Sequence, residues 1–167
     1  MIYSLLERQG EDPEIQGSDY AAAVEKRLRQ GHVLYLGKMQ DGTPGTRYAG
    51  AAFAGYTKFY LEAVRYWLAL PEHCVAMYDG YTAPSRRGKR YYSQVWNAAL
   101  DDCTARGVTS AWGFIMPHNK HSFIVHQKLG LAHIIQKITL RQRWGFRWHR
   151  VVKMDCYSHD LFPEIRK

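Results

Sequence analysis

The sequence predicts an α/β protein in which a mixed, mostly antiparallel sheet with a central parallel crossover is flanked by helices. Three observations predict it. Some stretches carry apolar residues at helical spacing. Shorter runs rich in Val, Leu, Tyr and Ile are bounded by turn residues. One strand candidate passes through a basic glycine turn straight into a helix and then a further strand. A strand, helix, strand series of that kind places one parallel pair inside an otherwise antiparallel sheet.

From Ser18, a candidate N-cap, Ala21, Val24 and Leu28 fall on one helical face, and Gly31 stops the helix. Residues 32–39 read as a strand. Asp41, Gly42, Pro44 and Gly45 form a turn, and residues 48–56 return as the second strand of a β-hairpin. Residues 57–70, TKFYLEAVRYWLAL, fit either a prolonged strand or a short helix rich in aromatics, and their type stays open. After Pro71, CVAMYDGYT reads as a strand ending in the turn APSRRGK. Tyr92, Val95, Trp96, Ala99, Leu100 and Cys103 then trace the clearest helical stripe of the chain, closed by Gly107. Residues 108–116 follow as an apolar strand, and Pro117 and Asn119 open another helix that Gly130 stops. Two last strands, about 132–141 and 147–155, meet around Trp144 and Gly145.

With 167 residues, 46% of them hydrophobic, 14% aromatic and 23% charged, the chain is expected to form a single domain over 1–167. Disorder and collagen-like repeats are excluded. No apolar run approaches the roughly 18 residues of a membrane span. The opening MIYSLLERQGEDPE meets acids before a signal-peptide core is built, so a cytoplasmic protein without a membrane span is expected. Cys74, Cys103 and Cys156 are far apart and in no C-x-x-C pair, which suits reduced, mostly buried thiols. The formal charge of +8 is uneven: acids gather in the first thirty residues and bases in the last thirty. Arg86, Arg87, Lys89 and Arg90 fall together around Gly88. Such fields attract nucleic acid, phosphorylated cofactors, acidic carrier proteins or anionic lipid, and charge alone does not choose among them.

The basic turn has the makings of an anion site. The first N–H groups of a helix have no internal partner, the helix dipole favours negative charge there, and four bases add full charges, so a diphosphate fits the description. Neither G-x-x-x-x-G-K-[ST] nor G-x-G-x-x-G is present. The series YTAPSRRGK, a helix, a strand ending at Met116 and Pro117, and NKHSFIVHQKLGL resembles, over about residues 72–131, the GNAT superfamily of N-acyltransferases, which use acyl-coenzyme A. In that family a turn of the type [QR]-x-x-G-x-[GA] binds the pyrophosphate. A later helix carries Asn, a small residue three on, Tyr seven on and a Lys-x-Gly-Phe-like ending. Asn119, Ser122, Lys128 and Gly130 stand at those spacings, with Leu131 where an aromatic is usual. Aligning Arg87 with the first motif position puts Arg90 where the first glycine belongs and Tyr92 where a small residue is usual. A side chain at 90 then either crowds the phosphates or binds them through its guanidinium.

The resemblance implies a division of labour. The thioester lies along the strand before the turn, where the backbone of Gly80, Tyr81 and Thr82 binds pantetheine and Gly80 permits close approach. Arg87, Gly88, Lys89, Arg90 and Tyr92, with Asn119 and Ser122 of the later helix, complete the cofactor site. His126 stands at the position of the family's tyrosine acid, which protonates the leaving thiolate; a histidine there either donates the proton or, with an ordinary pKa near 6.5, shuttles protons at neutral pH. For the base, Ala76 stands where some relatives place a Glu. Asp79 is the first candidate, followed by Glu72, His73 and His118, with an ordered water relay as the alternative. The implied activity is transfer of acetyl from acetyl-CoA, or of another acyl group from its acyl-CoA, to a small-molecule or protein amine by direct attack in a ternary complex. Two alternatives stay open: an acyl-carrier protein as donor, and a catalytically degenerate fold serving as a nucleic-acid or protein binding module.

His118, His121, His126 and His133 lack a third ligand at a fitting spacing and there is no H-E-x-x-H, so no metal is expected. Neither G-x-S-x-G nor a Cys with a placed partner appears, which argues against a nucleophilic enzyme. The aromatics Tyr56, Phe59, Tyr60, Tyr66 and Trp67 suit an acceptor pocket or, more simply, core. RQRWGFRWHR reads as a hairpin with one core face and one wet face, in preference to a platform for RNA bases, and as a candidate homodimer edge.

Overall fold

The computed structural model describes residues 18–38, 48–61, 65–116, 119–130 and 133–157. In chain order these form α1 (Ser18–Arg29), β1 (Val33–Lys38), β2 (Tyr48–Gly55), β3 (Lys58–Leu61), β4 (Tyr66–Ala69) and β5 (Cys74–Thr82). A 3-10 turn (Pro84–Arg86), α2 (Tyr91–Ala105), β6 (Ser110–Gly113), α3 (Lys120–Lys128), β7 (His133–Arg143) and β8 (Phe146–Tyr157) follow. The expected turn at 41–45, Pro117, His118 and Leu131 lie outside the described residues. The chain makes two compact units, Met1–Thr57 with Leu70–Trp112 and Lys58–Ala69 with Gly113–Lys167. Among the described residues no helix is long and apolar enough to cross a membrane.

In the first unit the sheet runs β1-β2-β5-β6, and β1 with β2 and β2 with β5 are antiparallel. α2 carries the chain from β5 to its neighbour β6, which supplies the expected parallel crossover. Strand β2, YAGAAFAG, is buried from Ala49 to Gly55 without alternation, as a strand covered on both faces must be. Its small residues bring α2 close. A Cβ built on Gly37 of β1 would lie 2.7 Å from Val95 Cγ2, so the helix rests on backbone rather than on side chains. Val95, Trp96, Ala99 and Cys103 form the buried face of α2, as the stripe requires. The Tyr35 hydroxyl donates to Asp102 Oδ2 at 2.6 Å and Arg106 Nε donates to the same oxygen at 2.9 Å, tying β1 to α2.

The second unit resolves the open segment 57–70 as two short paired strands, β3 and β4. Four residues per strand are too few to display a period of two, so the sequence left their type undecided. Phe59 and its partner Leu68 are buried, and Phe59 stacks on Phe114 at 5.0 Å; Tyr60 and its partner Trp67 take the other face, where Trp67 is 59% exposed. The aromatic stretch is thus part core and part surface. Strands β7 and β8 pair from His133↔Tyr157 to Arg143↔Phe146, reaching closer to the turn than expected and, on β8, two residues further at the far end. Their turn, Trp144-Gly145, has φ of 50° and 81°. Positive φ at both central residues is the two-residue hairpin turn whose twist matches the strands, and glycine adopts it without cost.

Candidate active site

Strand β5 is irregular at the point where the family resemblance places the acyl group. Its register against β2 runs Phe53↔Tyr78 and then Ala51↔Tyr81, so Ala52 faces both Asp79 and Gly80. This is a β-bulge with Asp79 at φ 52°, and it turns part of the backbone out of the ladder. The Asp79 carboxylate accepts a hydrogen bond from Arg27 Nη1 at 2.5 Å. The Arg27 guanidinium itself lies 5.2 Å from the ring centres of both Phe53 and Tyr78. The expected base is therefore engaged by α1, in a contact that pins the bulge. Glu72 and His73 are exposed at the other end of the strand, some 20 Å from the bulge at the usual rise per residue.

Gly80 makes room for a neighbour in its own chain. A Cβ there would meet the Tyr92 ring at 2.7 Å, and Tyr92 in turn stacks on Trp96 with centroids 5.6 Å apart. Burial pushes the Tyr92 phenol well above its ordinary pKa. The tyrosine at a motif position usually held by a small residue is thus a packing group between β5 and the start of α2. Beyond it, Thr82 Oγ1 is buried without a hydrogen-bond partner among the described residues, and the Thr82 carbonyl accepts from Arg87 Nε at 3.3 Å.

The turn that follows is built by two left-handed residues. Gly88 has φ 76° with open space where a Cβ would be, so glycine is needed there for conformation alone. Arg90, the N-cap of α2, has φ 62° and ψ 10° and makes no side-chain cap. The backbone keeps the conformation that suits the family's glycine while the residue is arginine. A left-handed non-glycine residue carries strain of roughly 1–2 kcal/mol. Arg90→Gly is therefore expected to raise stability by about 0.5–1 kcal/mol after the added chain entropy of glycine is counted. A higher urea midpoint at unchanged slope is the signature to look for. Arg87, Lys89 and Arg90 are exposed around this turn, and the first turn of α2 holds no acid.

In the second unit, Asn119 Oδ1 accepts from the Ser122 N–H at 3.0 Å and so caps α3. One turn on, His126 is 5% exposed, and its Nδ1 lies 2.7 Å from the Ser122 carbonyl oxygen and 3.3 Å from Ser122 Oγ. A carbonyl oxygen only accepts, so Nδ1 carries the hydrogen and donates it. Burial lowers the imidazole pKa, with the Ser122 carbonyl opposing in part. The resting ring is then neutral with its lone pair on Nε2, so it takes a proton before it can give one.

The structure brings Asp79, Gly80, Tyr81 and Thr82 together with Arg87, Gly88, Lys89, Arg90 and Tyr92 in the first unit, and Asn119, Ser122 and His126 on one helix of the second. Sequence reasoning missed Arg27, whose partner is 52 residues away and leaves no local signal. A bulged strand, the unsatisfied Thr82 hydroxyl and a basic turn into an uncapped helix suit a ligand with an amide-bearing arm and a diphosphate.

The sequence pattern of the acetyltransferase (GNAT) family matches residues 2–131, which include the bulge, the turn, α2 and α3. The chain belongs to the GNAT acetyltransferase family. As a GNAT protein it is an enzyme of the acetyltransferase class. Its fold is similar to that of aminoglycoside N-acetyltransferase AAC(6')-Iy, solved with the bisubstrate analogue CoA-S-monomethyl-acetylneamine. That likeness has a TM-score of 0.63 and 21% identity, and covers 85% of this chain and 91% of that one. An acetyltransferase from Trypanosoma brucei is similar with a TM-score of 0.57 and 16% identity over 84% of this chain and 92% of that one. The ribosomal-protein-alanine N-acetyltransferase from Brucella melitensis matches with a TM-score of 0.53 and 16% identity over 84% and 80%. No curated protein matches the sequence.

Proposed function

We propose that this GNAT enzyme transfers the acetyl group of acetyl-CoA to an amine by direct attack in a ternary complex, with residues 1–167 acting as one catalytic domain. The observation that carries the reading is the bulge at Asp79–Gly80 leading through Thr82 into the basic turn and the start of α2. The CoA-bound aminoglycoside N-acetyltransferase of the same fold supports the cofactor and an amine acceptor. When bound, acetyl-CoA supplies an activated thioester whose C–S bond breaks as the amide C–N bond forms.

The chain's own residues have the following roles. The β5 backbone from Gly80 to Thr82 holds the pantetheine arm, the bulge freeing it from the ladder. Arg87, Gly88, Lys89, Arg90 and the first N–H groups of α2 hold the diphosphate. Asn119 and Ser122 set the start of α3 and the His126 ring plane. His126 takes up a proton at Nε2 and returns it to the leaving group. Asp79 acts as the pin of the bulge through Arg27.

Thermal unfolding with and without acetyl-CoA tests the cofactor site. Ligand at 100 times its Kd is expected to add about 2.7 kcal/mol of stability, and Lys89→Gln or Arg87→Gln is expected to reduce that gain. No shift at saturating acetyl-CoA would overturn the reading and bring a carrier-protein donor or a binding module forward.

A further inference from the structure

The register of β7 with β8 decides which side chains share a face, because directly opposed residues project together. Arg143 with Phe146, Arg141 with Trp148, Thr139 with Arg150 and Lys137 with Val152 make up one face. The other face holds Leu140 opposite His149 and Ile138 opposite Val151, and His149 packs on Tyr66 at 4.9 Å. The alternation of RQRWGFRWHR therefore does not separate core from water. Cations and aromatic rings lie on the same face and all are exposed, Phe146 by 77% and Trp148 by 45%. At the tip Trp144 is 85% exposed with the Arg143 guanidinium 4.8 Å over its ring.

We propose that this face of the hairpin binds single-stranded nucleic acid, with phosphates on Lys137, Arg141, Arg143 and Arg150 and bases stacked on Trp148 and Phe146. Residues on one face of a strand recur about every 6.8 Å, so Lys137, Arg141 and Arg143 line β7 while Phe146 and Trp148 lie beside them on β8, a row of charge next to a ring surface as phosphates lie beside bases along an extended strand. A duplex hides the faces that the rings would stack on. Other occupants fit less well. A second copy would bring this row of cations against itself. Inserting the tip into a membrane would carry Arg143, directly opposite Phe146, into hydrocarbon. An acidic protein would answer the charges and leave the ring faces unused. The proposal is independent of acetyl transfer and has its own readout.

The test is fluorescence anisotropy of a labelled oligouridine titrated with the full chain across a salt series. Four phosphate contacts predict a slope of log K against log salt of about −2.8, and Arg141→Gln with Arg150→Gln is expected to bring it to about −1.4. Arg147→Gln with Lys153→Gln removes the same charge from the other face and should leave the slope in place. Trp148→Ala should weaken binding about fivefold or more without changing the slope. The exposure of all these side chains keeps the variants folded, which circular dichroism checks. Equal losses from both charge pairs, indifference to Trp148→Ala, tighter uptake by phosphatidylglycerol vesicles than by the RNA, Trp148-dependent dimerisation in its place, or no RNA binding would each overturn the proposal.

Discussion

Trp96→Ala is expected to lower the stability of the protein by about 3–5 kcal/mol, a large share of the roughly 5–15 kcal/mol that holds a typical domain. Trp96 is 2% exposed on the buried face of α2, so its removal opens a cavity where the helix meets the sheet. The effect should reach the site as well. Tyr92 stacks on Trp96 and fills the space beside Gly80, so an unsupported Tyr92 loosens both the start of α2 and the strand that leads to the turn. Urea unfolding is expected to show the loss in its midpoint, and the acetyl-CoA-dependent rise in melting temperature should shrink in parallel. Trp96→Phe, which keeps much of the ring, should recover most of both. A loss below about 1 kcal/mol for Trp96→Ala would mean that α2 does not pack on the sheet through this residue.

His126→Phe is expected to lower kcat by about 10²-fold or more while leaving the binding of acetyl-CoA nearly unchanged, since proton transfer and not cofactor affinity is lost. The pH dependence gives a second check. Burial holds the folded pKa of His126 below the ordinary 6.5, so the folded state binds fewer protons than the unfolded chain. Its contribution to stability is intact above pH 6.5 and is lost as the pH falls from 6.5 through the lowered folded value. The proton-accepting neutral ring disappears at that same lowered value, so kcat should fall on an acid limb lying below pH 6.5. In His126→Phe that limb should vanish and the acid loss of stability should be smaller. It should not disappear, because His32 is also lowered by burial and by Arg27. An unchanged acid limb with kcat within twofold of the parent would remove His126 from the reaction.

Much of this fold is legible in the sequence because its elements are encoded by near neighbours. CVAMYDGYT coincides with β5, buried from Cys74 to Tyr78 and bounded by Pro71 on one side and the basic turn on the other. The stripe from Val95 to Cys103 coincides with the buried face of α2. The motif alignment also pointed to Arg90 as a glycine position, and its left-handed φ shows the backbone to be that of a glycine. The short strands β3 and β4 were not legible, since their stability comes from pairing and from Phe59 on Phe114 rather than from periodicity.

The site divides in the same way. The sequence by itself determined the strand, the basic turn, the helix that follows and the Asn119, Ser122 and His126 spacing, because each rests on contacts within a few residues along the chain. Only the tertiary structure decided what those residues do. Arg27 comes from 52 residues away to occupy Asp79 and pin the bulge, and Tyr92 takes the space that Gly80 leaves. Burial keeps His126 a neutral ring against the opposing pull of the Ser122 carbonyl, which fixes the hydrogen on Nδ1 and leaves the lone pair on Nε2. The hairpin depends on register in the sharpest way. Side chains alternate with a period of two, so the two-residue turn at Trp144-Gly145 is what puts Arg141 and Trp148 on one face, and a slip of one residue would have put them on opposite ones.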